Sequence, residues 1–236
     1  MFGVLLNVAT IVCGSIIGVF FRKFISEKIS GAVMQAMGLA TFFIGIQGAL
    51  KGEKTLVLII SIVVGTIIGT IIDIDKYFNL FGEYLKKKFV KEKNKNGKNA
   101  LFVDAFVNAT VLFCVGALAI LGSIDAGIKH DYNIFILKST LDFVSSIMLS
   151  TSMGIGVAFS GISIFIYQGI LTIFASNFQF LADNVGIMNE LSCIGNVLII
   201  AIGLNLLGVT KVKIANMLPG IFLSPLVFYL FLLFSK

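Results

Sequence analysis

The stretch FVSSIMLSTSMGIGVAFSGISIFIYQGILTIFASNFQFLA, residues 143–182, contains 40 residues and no charged side chain. A helix needs about 20 apolar residues to cross roughly 30 Å of hydrocarbon, so this stretch is too long for one crossing. It must turn back once, and STSMGIG at 150–156 is the strongest turn signal within it. Because lipid offers no partner for a backbone hydrogen bond, a crossing must be a helix or part of a closed barrel. The stretch therefore predicts two consecutive transmembrane helices.

Six further stretches of 18 to 22 residues also lack a charge, and they predict further crossings. We therefore expect an all-α fold, a polytopic transmembrane bundle of about eight helices, with seven as the alternative count. Residues 2–21 are expected to remain as the first helix, because no basic residue precedes them as in a signal peptide. The predicted helices are 2–21, 31–50, 55–73, 102–122, 134–152, 155–175, 187–208 and 214–234.

The composition leaves little room for anything but this bundle. Hydrophobic residues form 58% of the chain and charged residues 13%, against about a quarter charged residues in an average soluble domain. Eight crossings use about 160 of the 236 positions. We therefore expect one integral membrane domain over 1–236, with no enzymatic activity, no cofactor and no metal. Cys13, Cys114 and Cys193 each lie in an apolar run, so we expect them to be buried small side chains.

The basic residues predict the orientation of the bundle. With the 74–99 loop in the cytoplasm, 13 Lys and Arg residues fall on the inner side and 4 on the outer side, which matches the Lys/Arg bias of cytoplasmic loops. Both termini then face outward. Within that loop, KYFNLFGEYLKKKFV at 76–90 has aromatic residues at helical spacing and predicts an amphipathic interfacial helix. The net charge of +6 is explained by the anionic lipid bilayer, so no nucleic acid is expected as a partner.

Two segments share a pattern that suggests an internal repeat. GAVMQAMGLATFFIGIQGAL at 31–50 resembles GIMNELSCIGNVLIIAIGLNLLG at 186–208, and upstream 3–19 loosely parallels 156–171. Because the predicted topology gives the two segments opposite directions, the first three and last three helices would form inverted repeats. Such repeats often build transporters, with the site near the midplane. Chance matching among helices rich in Gly and Ile is the alternative.

Two small-xxx-small motifs predict close helix contacts. GSIIG at 14–18 and GTIIG at 65–69 place glycines four residues apart, which lets helix backbones approach closely. They predict tight packing of the helices at 2–21 and 55–73, or a homo-oligomer that forms through them.

Asp142 is the residue with the strongest functional signal. It lies about eight residues inside the helix predicted over 134–152, and a charge at the centre of a membrane helix costs around 2.5–3.5 kcal/mol on insertion scales. Lys138 lies four residues earlier on the same face. One interpretation is a pair that neutralises itself, with Lys138 reaching outward to water. The other is a role for Asp142 in the path of an ion or solute, as is usual for ionisable groups within membranes.

A polar path needs side chains from several helices. Glu190 lies in the first turn of the helix predicted over 187–208, where it either interacts with the helix dipole or belongs to a site. Amides on five helices, with Gln35 and Asn108 among them, either make packing hydrogen bonds or line the path. The predicted path residues are Asp142, Lys138, Asn7, Gln47, Gln168, Glu190, Asn196 and Asn205.

Several segments resemble a known family. FCVGALAILGSIDAGI (113–128), LKSTLDFVSSIMLSTSMGIGVAFSGISIFIYQG (137–169) and ANMLPG (215–220) are similar to sequences of the YqgA/YdfK-like family of bacterial inner-membrane proteins. The resemblance covers most of the chain and implies a multi-pass helical protein of the bacterial cytoplasmic membrane. The family is one of unknown function, so the resemblance implies no substrate and no site residue.

Two functional hypotheses follow from these features. The first is a transporter or channel for a small solute or ion, with a polar midplane site around Asp142. The second is a non-transporting membrane scaffold or sensor that acts through the basic cytoplasmic loop at 74–99.

Overall fold

The protein is a bundle of helices. The computed structural model describes residues 1–22, 24, 26–89, 101–114 and 117–234, and no strand occurs within them. The helices are α1 (Phe2–Arg22), α2 (Glu27–Ala49), α3 (Thr55–Ile72), α4 (Ile74–Phe89), α5 (Phe102–Cys114), α6 (Ala117–Ile128), α7 (Asn133–Met153), α8 (Gly156–Ile173), α9 (Ala175–Ala182), α10 (Val185–Leu206) and α11 (Pro219–Phe234), with a 3-10 helix at Ile214–Met217.

Seven helical segments in the described part of the chain are long and apolar enough to cross a membrane. The count rises to eight if α5 and α6, inclined at 60° to each other, form one bent span. The structure therefore confirms the polytopic bundle. Both predicted numbers of crossings, seven and eight, are compatible with it. The turn predicted at 150–156 is also confirmed, because α7 ends at Met153 and α8 begins at Gly156. Gly154 between them has a φ of 91°, a conformation that glycine adopts without strain.

Two predicted helices differ from the structure, and one helix was not predicted. The single helix predicted over 102–122 is wrong, since α5 and α6 replace it. The last helix, predicted from 214, begins as a 3-10 turn and becomes α-helical at Pro219. Pro219 thus occupies a first helical position, where its missing N–H costs nothing, while only Pro225 lies inside the helix. The segment after α8 forms the separate helix α9. It was not predicted, because the apolar periodicity of a sequence does not reveal where the chain changes direction.

The amphipathic segment forms α4, which follows α3 directly. Asp73 between them adopts a left-handed conformation with a φ of 57°. Gly82 and Leu85 of α4 are buried, and Gly82 lies close to Phe106 of α5. Tyr77 and Tyr84 are exposed. The basic residues of the loop at 90–100 lie outside the described residues.

Glycines set the closest helix pairs. Gly18 of α1 lies against the backbone of α7 at Ile147, and Gly69 of α3 lies against the backbone of Asn216. The tight packing predicted from GSIIG and GTIIG is therefore present, and it occurs within the chain. α1 packs mainly on α7, α2 on α10 and α3 on α11. The inverted repeat stays a prediction.

The outside of the bundle is apolar. α3 exposes Ile59, Ile67 and Ile71, among many other large aliphatic residues. Such a surface suits lipid rather than water. Cys13 of α1 is also exposed, so the prediction that it is buried is wrong; it lies on the outer face of its helix. Cys193 is buried as predicted, and Cys114 is half-buried.

Candidate functional site

Lys138 and Asp142 form a buried ion pair on α7. Their spacing of four residues places both on one helical face, and the Lys138 ammonium donates a hydrogen bond to Oδ2 of Asp142. The two side chains are only 5% and 11% exposed. The self-neutralising pair of the first interpretation is therefore present, but Lys138 does not reach outward to water. It remains beside Asp142 because two opposite charges lose less by burial together than either does alone.

The ion pair lies at the wall of a cavity of about 870 Å³, which we call the Asp142 cavity. Gln47 from α2 and Asn196 from α10 line the same cavity. Four of the eight predicted path residues, from three different helices, thus come together here. Apolar residues of α5 and α6, among them Leu112 and Leu118, complete the lining. The result is a half-open apolar cavity with a few polar groups, which is typical of small-molecule sites.

Three polar residues of this cavity were not predicted. Asn189 and Ser192 of α10 line it beside Asn196, and Lys51 lies one turn beyond Gln47. The sequence did contain a signal for them. Polar side chains at 189, 192 and 196 recur at helical spacing in an apolar segment, and so mark one polar face.

Asn7 and Gln168 form a second polar contact nearby. Nδ2 of Asn7 on α1 donates a hydrogen bond of 3.2 Å to Oε1 of Gln168 on α8, and both side chains are fully buried. Asn7 also neighbours Asp142. Neither residue lines the Asp142 cavity. They form a buried polar contact next to the ion pair, and their assignment to the path stays a prediction.

Glu190 has a capping role in this fold. Its Oε1 accepts hydrogen bonds from the backbone N–H groups of Glu53 (2.9 Å) and Lys54 (2.8 Å), which precede α3. The first amides of a helix lack intrahelical partners, and a carboxylate there also interacts favourably with the helix dipole. The interpretation that Glu190 interacts with the start of a helix is therefore correct. The helix is α3, however, and not α10, which contains Glu190.

Asn205 lies at the other end of α10. It does not line the Asp142 cavity, and its assignment to the path stays a prediction. Its amide bonds to the loop after α10, donating to the carbonyl of Val212 (2.8 Å) and accepting from the N–H of Val212 (2.9 Å). The chain turns back at the end of α10 and leaves backbone groups of the loop without backbone partners, and the Asn205 amide hydrogen-bonds to those of Val212.

Asn205 lines a second cavity of about 430 Å³, the Asn205 cavity. Asp75, Asp104, Asn108 and Lys213 line it as well. Burial, the largest cause, raises the pKa of the Asp75 carboxyl above its ordinary value; Lys213 opposes this shift and the carboxylate of Asp73 adds to it. The wall of this cavity thus contains acidic, basic and amide side chains.

The described residues contain no group of three or more His, Cys, Asp and Glu side chains that could hold a metal ion. At the Asp142 cavity, Lys138, Asp142 and the amides of Gln47 and Asn196 supply charge pairing and hydrogen bonding. These groups can bind a polar ligand and exchange it with water.

Comparison with known proteins shows the family. The family described as "Protein of unknown function (DUF554)" matches residues 2–229. The chain belongs to the DUF554 family. No solved structure matches this DUF554 protein.

Two relatives of this DUF554 protein are full-length matches. The uncharacterized membrane protein YdfK of Bacillus subtilis (strain 168) is 33% identical over 233 residues, covering 97% of this chain and 96% of YdfK. The uncharacterized protein YqgA of Escherichia coli (strain K12) is 27% identical over 222 residues, covering 94% of each chain. The resemblance seen in the sequence is thereby confirmed. The name of YdfK and the apolar helices together support a membrane protein.

Proposed function

We propose that this protein is a transporter or channel for a small solute or ion, and that the Asp142 cavity is its binding site. The observation that supports the proposal is the convergence of Lys138, Asp142, Gln47 and Asn196 on one cavity. The proposal places the protein in the bacterial cytoplasmic membrane, with the 74–99 loop in the cytoplasm, as the Lys/Arg distribution predicts. It assigns no enzymatic step to the chain.

The energetics of the ion pair favour a functional role. Replacing a buried ion pair by apolar residues of similar volume is often neutral or stabilising, so a pair such as Lys138 and Asp142 is weak support for stability. In the Asp142 cavity, each charge can exchange its partner for a group of a bound solute. The cavity volume of about 870 Å³ also lies within the range of small-molecule sites.

The packing of the helices is compatible with the predicted repeat. α1 contacts α8, α2 contacts α10 and α3 contacts α11, so each helix of the first predicted triplet lies against its counterpart in the second. Inverted repeats that cross in this way typically enclose a midplane site, which adds support to transport.

The test compares the wild type with Asp142→Asn and Asp142→Leu/Lys138→Met. We expect bound solute to raise the thermal unfolding temperature of the wild type, because ligand binds only the folded state. Asp142→Asn should lose that shift by removing the charge. The double variant removes both charges together and should remain folded, so it separates loss of binding from loss of fold. Purified protein is titrated with sodium, potassium and chloride salts and with single amino acids.

Identical ligand-induced shifts in the wild type and in both variants would remove Asp142 from the site. A wild type that responds to a ligand while both variants do not would support the proposal. A variant of Asn7, which lies outside the cavity, provides a control: Asn7→Ala should change the unfolding temperature without ligand more than it changes the shift.

A second function is favoured by α4. This helix exposes Tyr77, Leu80 and Tyr84, and its last turn contains Lys86 and Lys87. An exposed aromatic face beside lysines suits an anionic membrane surface, as a scaffold or sensor would use. That function predicts that trimming 76–98 removes the cellular phenotype, while Asp142 substitutions leave it unchanged.

A further inference from the structure

The two cavities lie at opposite ends of one ring of helices. α2, α7, α5 and α10 contact each other in sequence around the ring, since α2 packs on α7, α7 on α5, α5 on α10 and α10 on α2. Each of the four helices contributes residues to the Asp142 cavity and to the Asn205 cavity. On α10, Asn196 in the middle of the helix lines the first cavity and Asn205 at its end lines the second. The same four helices therefore line both cavities, each at a different level along the ring.

An apolar layer separates the two cavities. On α2, Met37 lies between Met34, which lines the Asn205 cavity, and Ile44, which lines the Asp142 cavity. On α10, Ile202 lies between the two linings in the same way. Met37 and Ile202 are 6% and 0% exposed and belong to one hydrophobic cluster, together with Leu149 of α7.

The thickness of the layer differs around the ring. On α5, Asn108 lines one cavity and Leu112 the other, four residues or about 6 Å apart along the helix. On α10, Ile199 and Leu206 are about 10 Å apart. On α2, Met34 and Ile44 are about 15 Å apart, and on α7, Asp142 and Met153 are about 16 Å apart. The layer is therefore one to three turns thick, and its buried apolar side chains have the geometry of a hydrophobic constriction that excludes water.

We propose that the Asp142 and Asn205 cavities are the two mouths of one pathway through the bundle, and that Met37, Leu149 and Ile202 form its gate. The proposal rests on the proposed transport function and deepens it. It assigns Asn205 and Asn108 to the mouth opposite Asp142, although they share no cavity with that residue.

The linings also indicate the class of solute. A path that selects ions of one sign is built from rings of one charge. Here Asp142 is paired with Lys138 in one mouth, and the other mouth is lined by Asp75, Asp104, Lys211 and Lys213. Mixed charge with amides in both mouths suits a small polar solute that is zwitterionic or neutral, such as an amino acid, more than an ion of one sign.

Cysteine labelling tests the pathway without knowledge of the solute. The background carries Cys13→Ala, Cys114→Ala and Cys193→Ala, and receives either Asn196→Cys or Asn108→Cys. Membrane vesicles of both orientations are treated with membrane-impermeant methanethiosulfonates, one cationic and one anionic. We expect each cysteine to react from one side only, and the two from opposite sides. Comparable rates with both reagents, within about tenfold, are expected from mixed charge.

The gate is tested in the Asn108→Cys protein by adding Ile202→Ala. The smaller side chain should let reagent from the Asn196 side reach position 108 at least tenfold faster. Ile11→Ala is the matched control, because Ile11 is equally buried in the same cluster but lies on α1, outside the ring. Met37→Ala serves as a second gate variant if Ile202→Ala does not fold.

The outcomes separate this inference from the proposed function. Labelling of both cysteines from the same side, or no acceleration by either gate variant, would overturn the pathway. A strong preference for one reagent in both mouths would overturn the solute class. If the two cysteines react from opposite sides but Asp142→Asn leaves the ligand-induced shift unchanged, the pathway stands and the assigned binding site does not. If both cysteines react from the same side but Asp142→Asn abolishes the shift, the binding site stands and the pathway does not.

Discussion

At the scale of single residues, Glu190 shows how a buried charge can belong to the architecture. The side chain is 1% exposed, yet one carboxylate oxygen accepts two backbone hydrogen bonds. Hydrogen bonds to an ionised group contribute more than neutral ones, at about 1.5–3 kcal/mol each. Asp142 differs from it, because its partner is another side chain and both members of the pair line a cavity.

We expect Glu190→Ala to destabilise the protein by about 1–3 kcal/mol, since it leaves the two amides before α3 without partners. Glu190→Gln should cost less, because an amide oxygen still accepts a hydrogen bond. Chemical denaturation of the purified protein measures the difference. Glu53→Gln is the control: it changes an exposed carboxylate at the same junction and should stay within about 0.5 kcal/mol of wild type. Equal stability of Glu190→Ala and the control would contradict the capping role.

At the scale of elements, α2 and α10 are held together by glycines. A Cβ placed on Gly203 would lie 2.6 Å from the backbone nitrogen of Phe42 and 2.9 Å from the carbonyl oxygen of Gly38. Backbone atoms cannot move aside as a flexible side chain can, so the two helices would have to separate. Because α2 and α10 both line the two cavities, the distance between these helices at Gly203 also sets the width of both cavities.

Gly203→Ala is therefore expected to lower the unfolding temperature and to weaken binding at the Asp142 cavity. Gly31→Ala is the matched control, because a Cβ at Gly31 meets no atom within 4 Å. There the only effect is helix propensity, which should stabilise α2 by about 0.5–1 kcal/mol. Thermal unfolding of both variants decides the matter, and a Gly203→Ala protein as stable as Gly31→Ala would show that the helices can separate freely.

At the scale of the whole molecule, α5 and α6 determine whether the number of membrane crossings is even or odd. If the inclined pair crosses the membrane as one bent span, eight crossings leave both termini on the same side. If the pair returns to the side on which it starts, seven crossings place the termini on opposite sides. With the 74–99 loop inside, both arrangements place 13 Lys and Arg residues inside and 4 outside, because Lys129 and Lys236 exchange sides with Lys211 and Lys213, so this count does not separate them. The eight-crossing arrangement is the one we expect.

Fusions of alkaline phosphatase, which is active only outside the cytoplasm, test this arrangement. We expect activity for a fusion after Lys236 and none for a fusion after Lys95 in the basic loop. A fusion after Asp131, between α6 and α7, should also be active. An inactive fusion after Lys236 together with an active N-terminal fusion would show that α5 and α6 do not cross.

The positions of the polar residues could be predicted only in part. Lys138 and Asp142 were recognisable as a pair because helical spacing alone places them on one face. Gln47 and Asn196 were recognisable as polar residues in apolar helices, but not as members of the same cavity. Asn205 and Glu190 follow the same sequence pattern, and the structure places both elsewhere.

The sequence by itself determined the class of the fold, because uncharged stretches of this length can satisfy their backbone hydrogen bonds in lipid only as helices. It also determined which residues are costly to bury. Only the tertiary structure decided which helices are neighbours, since every apolar face is equally soluble in lipid and no pattern along one helix names its partner. The contacts of Gly18 with α7 and of Gly203 with α2 set those neighbours, and through them brought four of the eight predicted residues to one cavity.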